Sequence, residues 1–264
     1  MIGVLAAEAG INDPFRVPEV GELFNFPPIF FGGTPFEITR VQIILLFGIV
    51  FLVGFFIYAL REKRVVPSKI QLVAEMVVEF VRDQIAVTVM GKEGVRFVPF
   101  LTTVFVFVLV NNWFEILPLV NFPVTSKIAI PMLLAAIIWL IYVIMGFVKQ
   151  GWRYPINVAF PPGVPKAFYI LIAPIELISF FIVQPITLTV RLFANMFAGH
   201  ILLVIVFLVI HAFLFSGKGT PVGLFGLIAA PVAIGFEMLV GVLQAYIMTI
   251  LAAVYFERAL HAEH

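Results

Sequence analysis

Apolar stretches of about 20 residues recur along this chain, a length that crosses a bilayer core of roughly 30 Å as an α-helix. Hydrophobic residues make up 62% of the 264 positions, and only 12% are charged. A soluble domain has nearer to about 25% charged residues, so this sequence cannot build a surface that faces water on all sides. The sequence therefore predicts an all-α polytopic membrane protein.

Charge and cysteine content exclude several other classes. The formal net charge is +1, which indicates neither nucleic acid nor a strongly acidic partner. Cysteine is absent, which excludes disulfides and thiolate metal sites. The segment MIGVLAAEAG lacks the positively charged start of a secretory signal, and we expect it to belong to the mature chain.

Hydropathy divides the chain into an external N-terminal arm at residues 1–40 and a single membrane domain at residues 41–264. Between the first two spans, residues 69–89 carry apolar side chains on one helical face and charged ones on the other. That pattern is typical of an amphipathic helix lying along the membrane surface. The predicted membrane spans, about five in number, are 41–60, 97–119, 128–148, 167–215 and 224–256.

The run 167–215 is too long for one perpendicular crossing. Its 49 residues extend about 73 Å as an α-helix, which leaves either a hairpin of two spans or one steeply inclined helix. A hairpin needs Gly, Pro or polar residues near position 191, and VRLFANM offers no such turn. We expect one long helix, bent but not ended by Pro174 and Pro185. Both of the last two helices should be long and strongly tilted.

Lysine and arginine are distributed unevenly over this topology. With five spans and an external N-terminus, eleven of them lie in cytoplasmic segments and four in external segments. Cytoplasmic loops carry the excess of basic residues, so we expect the N-terminus outside and the C-terminus in the cytoplasm.

The remaining basic residue, Arg191, lies within the apolar segment TVRLFANMFAGH, fifteen residues from the nearest acid, Glu176. His200 points to the opposite side of the helix at about 100° per residue. An arginine at the bilayer centre costs roughly 2.5–3.5 kcal/mol on insertion scales, and such residues are usually functional. One helical face gathers small or polar residues around it, namely Gln184, Thr187, Asn195 and Ala198.

The last predicted helix carries a second polar stripe. If the two final helices pack antiparallel, His200 can meet this stripe, and small residues such as Gly199 allow a close approach. The residues that fall near one line of the helix are Glu237, Gly241, Gln244, Met248 and Tyr255.

Each polar group also has an explanation that involves no transport. Arg191 can cap carbonyls, and His200 can form a packing-level ion pair with Glu237. The amides of Asn195 and Gln244 can be ordinary interhelical hydrogen bonds. A wetted or interfacial position is sufficient for the others, which are Glu176, Asn112, Glu115, His211 and Tyr255.

No enzyme site is recognisable in the sequence. It shows no cluster of metal ligands, no phosphate-binding glycine loop and no nucleophile beside a base. Protonatable groups are instead spread across the depth of the bilayer, around one group that never loses its proton. This arrangement indicates the movement of an ion.

The segment VRLFANMFAGH closely resembles the long helix of the membrane stator subunit a of F-type ATP synthases. The resemblance extends to PIELISFFIVQP and to GFEMLVGVLQAYIMTILAAVYF, and it covers most of the chain. It implies two offset aqueous half-channels facing a rotating ring of c subunits, each with a mid-membrane carboxylate. The other expected partners are the peripheral-stalk b subunits, the rest of the complex and the lipid of a bacterial plasma membrane. No cofactor is implied, and the ATP chemistry belongs to other subunits.

On this resemblance, Arg191 attracts each ring carboxylate into its ionised form and blocks a direct proton leak. A fixed cation lowers the pKa of a nearby carboxyl group, and arginine keeps its charge where a desolvated lysine readily loses it. The positions implied near the outer half-channel and the ring contact are Asn195, His200, Glu237 and Gln244. Those implied for the cytoplasmic half-channel are Glu176, Ser179 and Tyr255, and those at the outer entrance are Asn112 and Glu115.

Two features depart from the family pattern. Many bacterial relatives have Glu after the Gly of this motif and His on the last helix, whereas here the two types are exchanged as His200 and Glu237, as in mitochondrial-type members. The exchange keeps one acid and one imidazole, and it predicts that they pair. Glu176 precedes Pro185 by nine residues, one more than in many relatives, so its role is the least constrained.

A self-contained, ion-coupled secondary transporter or channel is the competing interpretation. Such folds commonly contain internal repeats, but the surface helix and the 49-residue run have no counterparts elsewhere in the sequence. A purely structural anchor has no use for a deeply placed charge. The expected ion is the proton, although the ring carboxylate largely sets that choice.

Overall fold

The computed structural model describes residues 29, 38–61, 67–117, 120, 122–160, 168–215 and 220–261. These residues are almost entirely helical, and no extended strand forms among them. Five helical segments of this part of the chain are long and apolar enough to cross a membrane. The expected all-α polytopic architecture is therefore confirmed. Most of the expected external arm, residues 1–40, lies outside the described residues.

The helices of the structure lie close to the predicted spans, except that the second predicted span, 97–119, ends as an α-helix at Trp113. In chain order they are α1 (Arg40–Leu60), α2 (Lys69–Phe80), α3 (Val87–Met90), α4 (Val98–Trp113), α5 (Ala129–Gln150), α6 (Tyr154–Ala159), α7 (Tyr169–Ile178), α8 (Gln184–Ile210) and α9 (Thr220–His261). The π turns are Val81–Ala86, Ser179–Val183 and His211–Phe215, and the 3₁₀ turns are Gly91–Phe97, Val124–Ser126 and Gly151–Arg153.

The long predicted run forms one uninterrupted helix from Tyr169 to Phe215, made of α7, α8 and two π turns and called here the long helix. The single-helix prediction is confirmed, and the hairpin alternative is wrong. Pro174 lies inside α7 and Pro185 in the first turn of α8, and neither ends the helix. A helix of about 70 Å must incline strongly to fit a bilayer core of roughly 30 Å.

A separate helix precedes α4, as the amphipathic pattern predicts. It ends at Met90 because Gly91 has φ 61°, a conformation that glycine adopts without strain. Val81 packs into the core, whereas Val73 and Met76 are exposed. An apolar face that the protein leaves uncovered is suited to lipid. The position of this helix along the membrane surface stays a prediction.

Packing is centred on α9, which contacts α4, α5 and α8. Short side chains at these contacts let helix backbones approach closely. Because α9 is sandwiched in this way, its polar stripe faces the polar residues of α4 and α8 rather than lipid. Its fully buried alanines are Ala245, Ala252, Ala253 and Ala259.

The exterior of the bundle is apolar. Long side chains such as Leu46, Val148, Ile170 and Phe225 are exposed. Large contiguous apolar surfaces are rare on soluble monomers but are normal where lipid tails are the solvent. The protein is accordingly an integral membrane protein.

The turn between the surface helix and α4 depends on Gly94. A methyl group there would lie 2.8 Å from the carbonyl carbon of Ala86 and closer still to its oxygen. Overpacking of this kind costs about 1–3 kcal/mol, so Gly94→Ala should lower the thermal denaturation midpoint of the detergent-solubilised protein. Gly54→Ala is the control, because nothing lies within 4 Å of the added methyl group. Equal midpoints for the two variants would contradict this packing.

Candidate functional site

Three ionisable side chains meet where α8, α9 and the turn after α4 converge. Nδ1 of His200 lies 3.2 Å from Oε1 of Glu115, and the two side chains are 8% and 2% exposed. Glu237 is 5% exposed, and its Oε2 has no hydrogen-bond partner among the described residues. A buried polar atom without a partner is costly, so this oxygen is a natural position for a proton or a water molecule.

Glycine at position 199 makes room for the Glu237 carboxylate. A methyl group there would lie 2.6 Å from both Cδ and Oε1 of Glu237. The carboxylate of α9 is therefore pressed against the backbone of α8, one residue before His200. We call Glu115, His200 and Glu237 the outer cluster.

A hydrogen-bonded frame holds the end of α4 beside the outer cluster. The amide of Asn112 donates to the carbonyl of Gly241 at 3.4 Å and accepts from the Thr125 hydroxyl at 3.0 Å. The indole of Trp113 donates to the carbonyl of Met238 at 3.3 Å. Since Asn112 and Trp113 both hydrogen-bond to the backbone of α9, the turn that carries Glu115 is fixed relative to Glu237.

The structure corrects one expectation about these residues. His200 was expected to pair with Glu237, but its hydrogen bond goes to Glu115, and Glu237 instead lies against Gly199. Glu115 and Asn112 are both buried within the protein, and their position relative to the membrane interface stays a prediction. Asn112 lies in the last turn of α4 and hydrogen-bonds to Gly241 of α9, and Glu115 lies in the turn that follows and hydrogen-bonds to His200 of α8.

Sequence reasoning missed Thr125 and Trp113. Thr125 lies in the short 3₁₀ turn Val124–Ser126, and a threonine in a loop carries no periodic signal. Trp113 is adjacent to Asn112 in the NNWFE segment. A buried amide needs partners, and that requirement is the one signal that pointed toward this frame.

Arg191 lies on the long helix, half-buried, on a face that the rest of the protein leaves open. Its guanidinium forms no ion pair or hydrogen bond within the described part of the chain, although it lies within electrostatic range of the Tyr255 hydroxyl. Ala194 and Ala198 on the same side are exposed, and Asn195 is half-buried. The predicted polar face thus points outward, with small residues flanking the charge.

The predicted stripe of α9 faces inward. Glu237, Gln244 and Tyr255 are all buried, so the helical alignment read from the sequence is confirmed. The Tyr255 ring packs against Tyr142 with centroids 5.5 Å apart, and its position relative to the membrane interface stays a prediction. Within the described part of the chain, the Gln244 side chain makes no hydrogen bond.

Glu176 and Ser179 lie toward the other end of the long helix. Both are half-buried, and neither side chain hydrogen-bonds to another described residue. Ser179 opens the π turn Ser179–Val183. The structure therefore keeps both groups apart from the outer cluster, which is formed by a different part of the same helix.

Arg191 stands between these two groups along the helix axis. The rise of an α-helix places His200 about 13 Å to one side of it and Glu176 about 22 Å to the other. The site is thus a series of polar groups spread along a helix, in contrast to a compact cluster. No group of three or more His, Cys, Asp or Glu residues able to hold a metal occurs among the described residues.

Known proteins of one family match nearly the whole length of this chain. The sequence profile of the family described as "ATP synthase A chain" matches residues 41–257. "ATP synthase subunit a" of Rhodococcus erythropolis is 40% identical, over 95% of this chain and 92% of the relative. The protein of the same name from Frankia alni is 37% identical, over 100% and 91%, and that from Maricaulis maris is 35% identical, over 96% and 99%. The chain belongs to the ATP synthase A chain family.

Proposed function

We propose that this protein is the proton-translocating stator subunit of a rotary F-type ATP synthase, working with a ring of c subunits. The observation that carries the proposal is the state of Arg191. It is a permanent charge on an open helix face, and no carboxylate of the described chain neutralises it. A charge placed in hydrocarbon needs an opposite charge or water, so the partner acid belongs to a neighbouring protein.

A ring of mid-membrane carboxylates fits this face. Each carboxylate that comes close to Arg191 is favoured in its ionised form, because a nearby cation stabilises the negative charge. Once it moves past Arg191 into an apolar surrounding, the neutral form is favoured and the acid must take up a proton. The exposed Ala194 and Ala198 let another helix approach closely.

The groups on either side of Arg191 supply two separate proton routes. The outer cluster offers protonatable atoms about 13 Å away on one side, joined by the His200–Glu115 hydrogen bond. Glu176 and Ser179 offer polar groups on the other side. Since Arg191 separates the two routes, a proton that arrives by one route must bind to a ring carboxylate and be carried by it to the other route.

The remaining assignments follow the same topology. We place residues 1–40 outside as an arm, residues 41–264 in one membrane domain, and the C-terminus in the cytoplasm, since basic residues accumulate on that side. The peripheral-stalk b subunits are the expected contacts away from the ring. The bacterial organisms of the relatives support a bacterial plasma membrane as the location of the complex.

Replacing Arg191 tests the proposal. Arg191→Ala should reduce ATP-driven proton pumping in inverted membrane vesicles to the background of uncoupled vesicles, while the complex still assembles, because ring carboxylates then lose their fixed cation. Arg82→Ala is the matched control. It removes a surface guanidinium that is paired with Asp83 at 2.7 Å, and pumping should not change. Full coupled pumping by Arg191→Ala would rule the assignment out.

The position of the Glu237 carboxylate is tested by its neighbour on α8. Gly199→Ala should displace the carboxylate and slow proton pumping by about tenfold, which corresponds to about 1.4 kcal/mol on the barrier. Gly235→Ala on α9 is the control, because nothing lies within 4 Å of its added methyl group. Pumping at the control rate in Gly199→Ala vesicles would show that Glu237 is not needed where the structure places it.

A further inference from the structure

The helical register of the long helix changes between Glu176 and Ser179 on one side and Arg191 on the other. In the π turn Ser179–Val183, the backbone N–H of Gln184 donates to the carbonyl of Ser179, five residues back instead of four. A π turn of this kind acts as one extra residue inserted in an α-helix. Every side chain before it is therefore rotated by about 100° relative to those after it.

The π turn leaves the backbone carbonyl of Phe180 without a hydrogen bond inside the helix, and the Tyr142 hydroxyl donates to it. In the π register the carbonyl of Phe180 would accept from residue 185, but Pro185 has no N–H. The hydroxyl of Tyr142 on α5 donates to that carbonyl at 2.9 Å. Both residues are buried in the core, where an unpaired carbonyl is costly, so this hydrogen bond stabilises the π turn specifically.

The side chain of Phe180 shows the rotated register directly. Its ring packs on Tyr142 and Tyr154, with centroids 5.0 and 5.6 Å apart, and is 4% exposed. With the extra residue discounted, Phe180 lies within about 20° of the buried Leu188 and Leu192. In an uninterrupted α-helix it would lie about 20° from Arg191 instead, on the open face.

The same rotation brings Ser179 and Glu176 toward the helical face of Arg191. In a continuous α-helix Ser179 would lie about 120° away from Arg191, and with the π turn it lies about 20° away. Glu176 moves from about 60° on one side to about 40° on the other. Both groups thus share the face of Arg191, and an aromatic residue is removed from it.

We propose that Tyr142 is a positioning residue, whose hydroxyl holds the π turn and thereby keeps Ser179 and Glu176 on the Arg191 face. The inference rests on the proposed function only for its effect on proton transfer. The register itself depends on the hydrogen bond, the ring contacts and Pro185. Tyr142 lies on a different helix and acts through the backbone of Phe180.

The register is measured by cross-linking, without reference to transport. The chain contains no cysteine, so pairs can be introduced singly. In the assembled complex, Tyr154→Cys should react through a short bifunctional thiol reagent with Phe180→Cys more than with Phe181→Cys. Adding Tyr142→Phe should lower the ratio of these yields several-fold, because the continuous helix places position 181 opposite α6. A ratio that favours 181 from the start, or one that Tyr142→Phe leaves unchanged, overturns the proposal.

Pumping then shows whether the register matters. Tyr142→Phe should reduce ATP-driven proton pumping several-fold at equal assembly. Tyr154→Phe should not, because the Tyr154 hydroxyl is buried without a hydrogen-bond partner among the described residues and the variant keeps the ring. Deleting the exposed Ile182 in the Tyr142→Phe chain removes the extra residue and should restore pumping, since a plain α-helix then gives the same alignment.

The possible results separate the two proposals. Damage that is only structural is not repaired by deleting a further residue, so failure of the Ile182 deletion to restore pumping contradicts the positioning role. Unchanged pumping in Tyr142→Phe despite a shifted cross-link contradicts it as well. Coupled pumping by Arg191→Ala, in contrast, overturns the proposed function while leaving the register result intact.

Discussion

An arginine that keeps its charge inside hydrocarbon sets the condition that the rest of this structure meets. Its cost is roughly 2.5–3.5 kcal/mol at the centre of a bilayer, and an ion pair within the chain would be the simplest compensation. The described chain does not provide one: Glu237 packs beside Gly199, about 12 Å further along the helix axis. Arg191 is therefore left available to an acid from another protein, which is what the proposed stator role beside a moving ring requires.

The packing of α9 keeps the two kinds of polar group separate. Its alanines bring it close to α4, α5 and α8, so Glu237 and Gln244 are enclosed within the protein. Arg191 is half-buried at the open face of α8, within electrostatic range of Tyr255 on α9, and is flanked by exposed small residues. The protein thus buries these polar groups and exposes its fixed charge. This arrangement is what the proposed two proton routes, which meet only at the surface of a partner, require.

Much of this could be predicted from the sequence, for physical reasons. Hydropathy predicted the spans and the uninterrupted long helix. In lipid the backbone polar groups must hydrogen-bond within the segment, so a long apolar run can form only a helix. Helical angles predicted the Arg191 face and the α9 stripe. The His200–Glu115 contact could not be predicted in this way, since it joins residues 85 positions apart through an irregular turn. A π turn also breaks the 100° rule on which the angular argument depends, so the positions of Ser179 and Glu176 needed the structure.

The most direct measurement is of the molecule that lies against Arg191. A photoreactive side chain at the exposed Ala198 or Ala194 can be activated in the intact complex, and its adducts identified by mass spectrometry. The account predicts adducts with a small two-helix membrane protein, close to a carboxylate in the middle of one of its helices. Adducts confined to lipid or to this chain itself, in a complex that pumps protons, would contradict it.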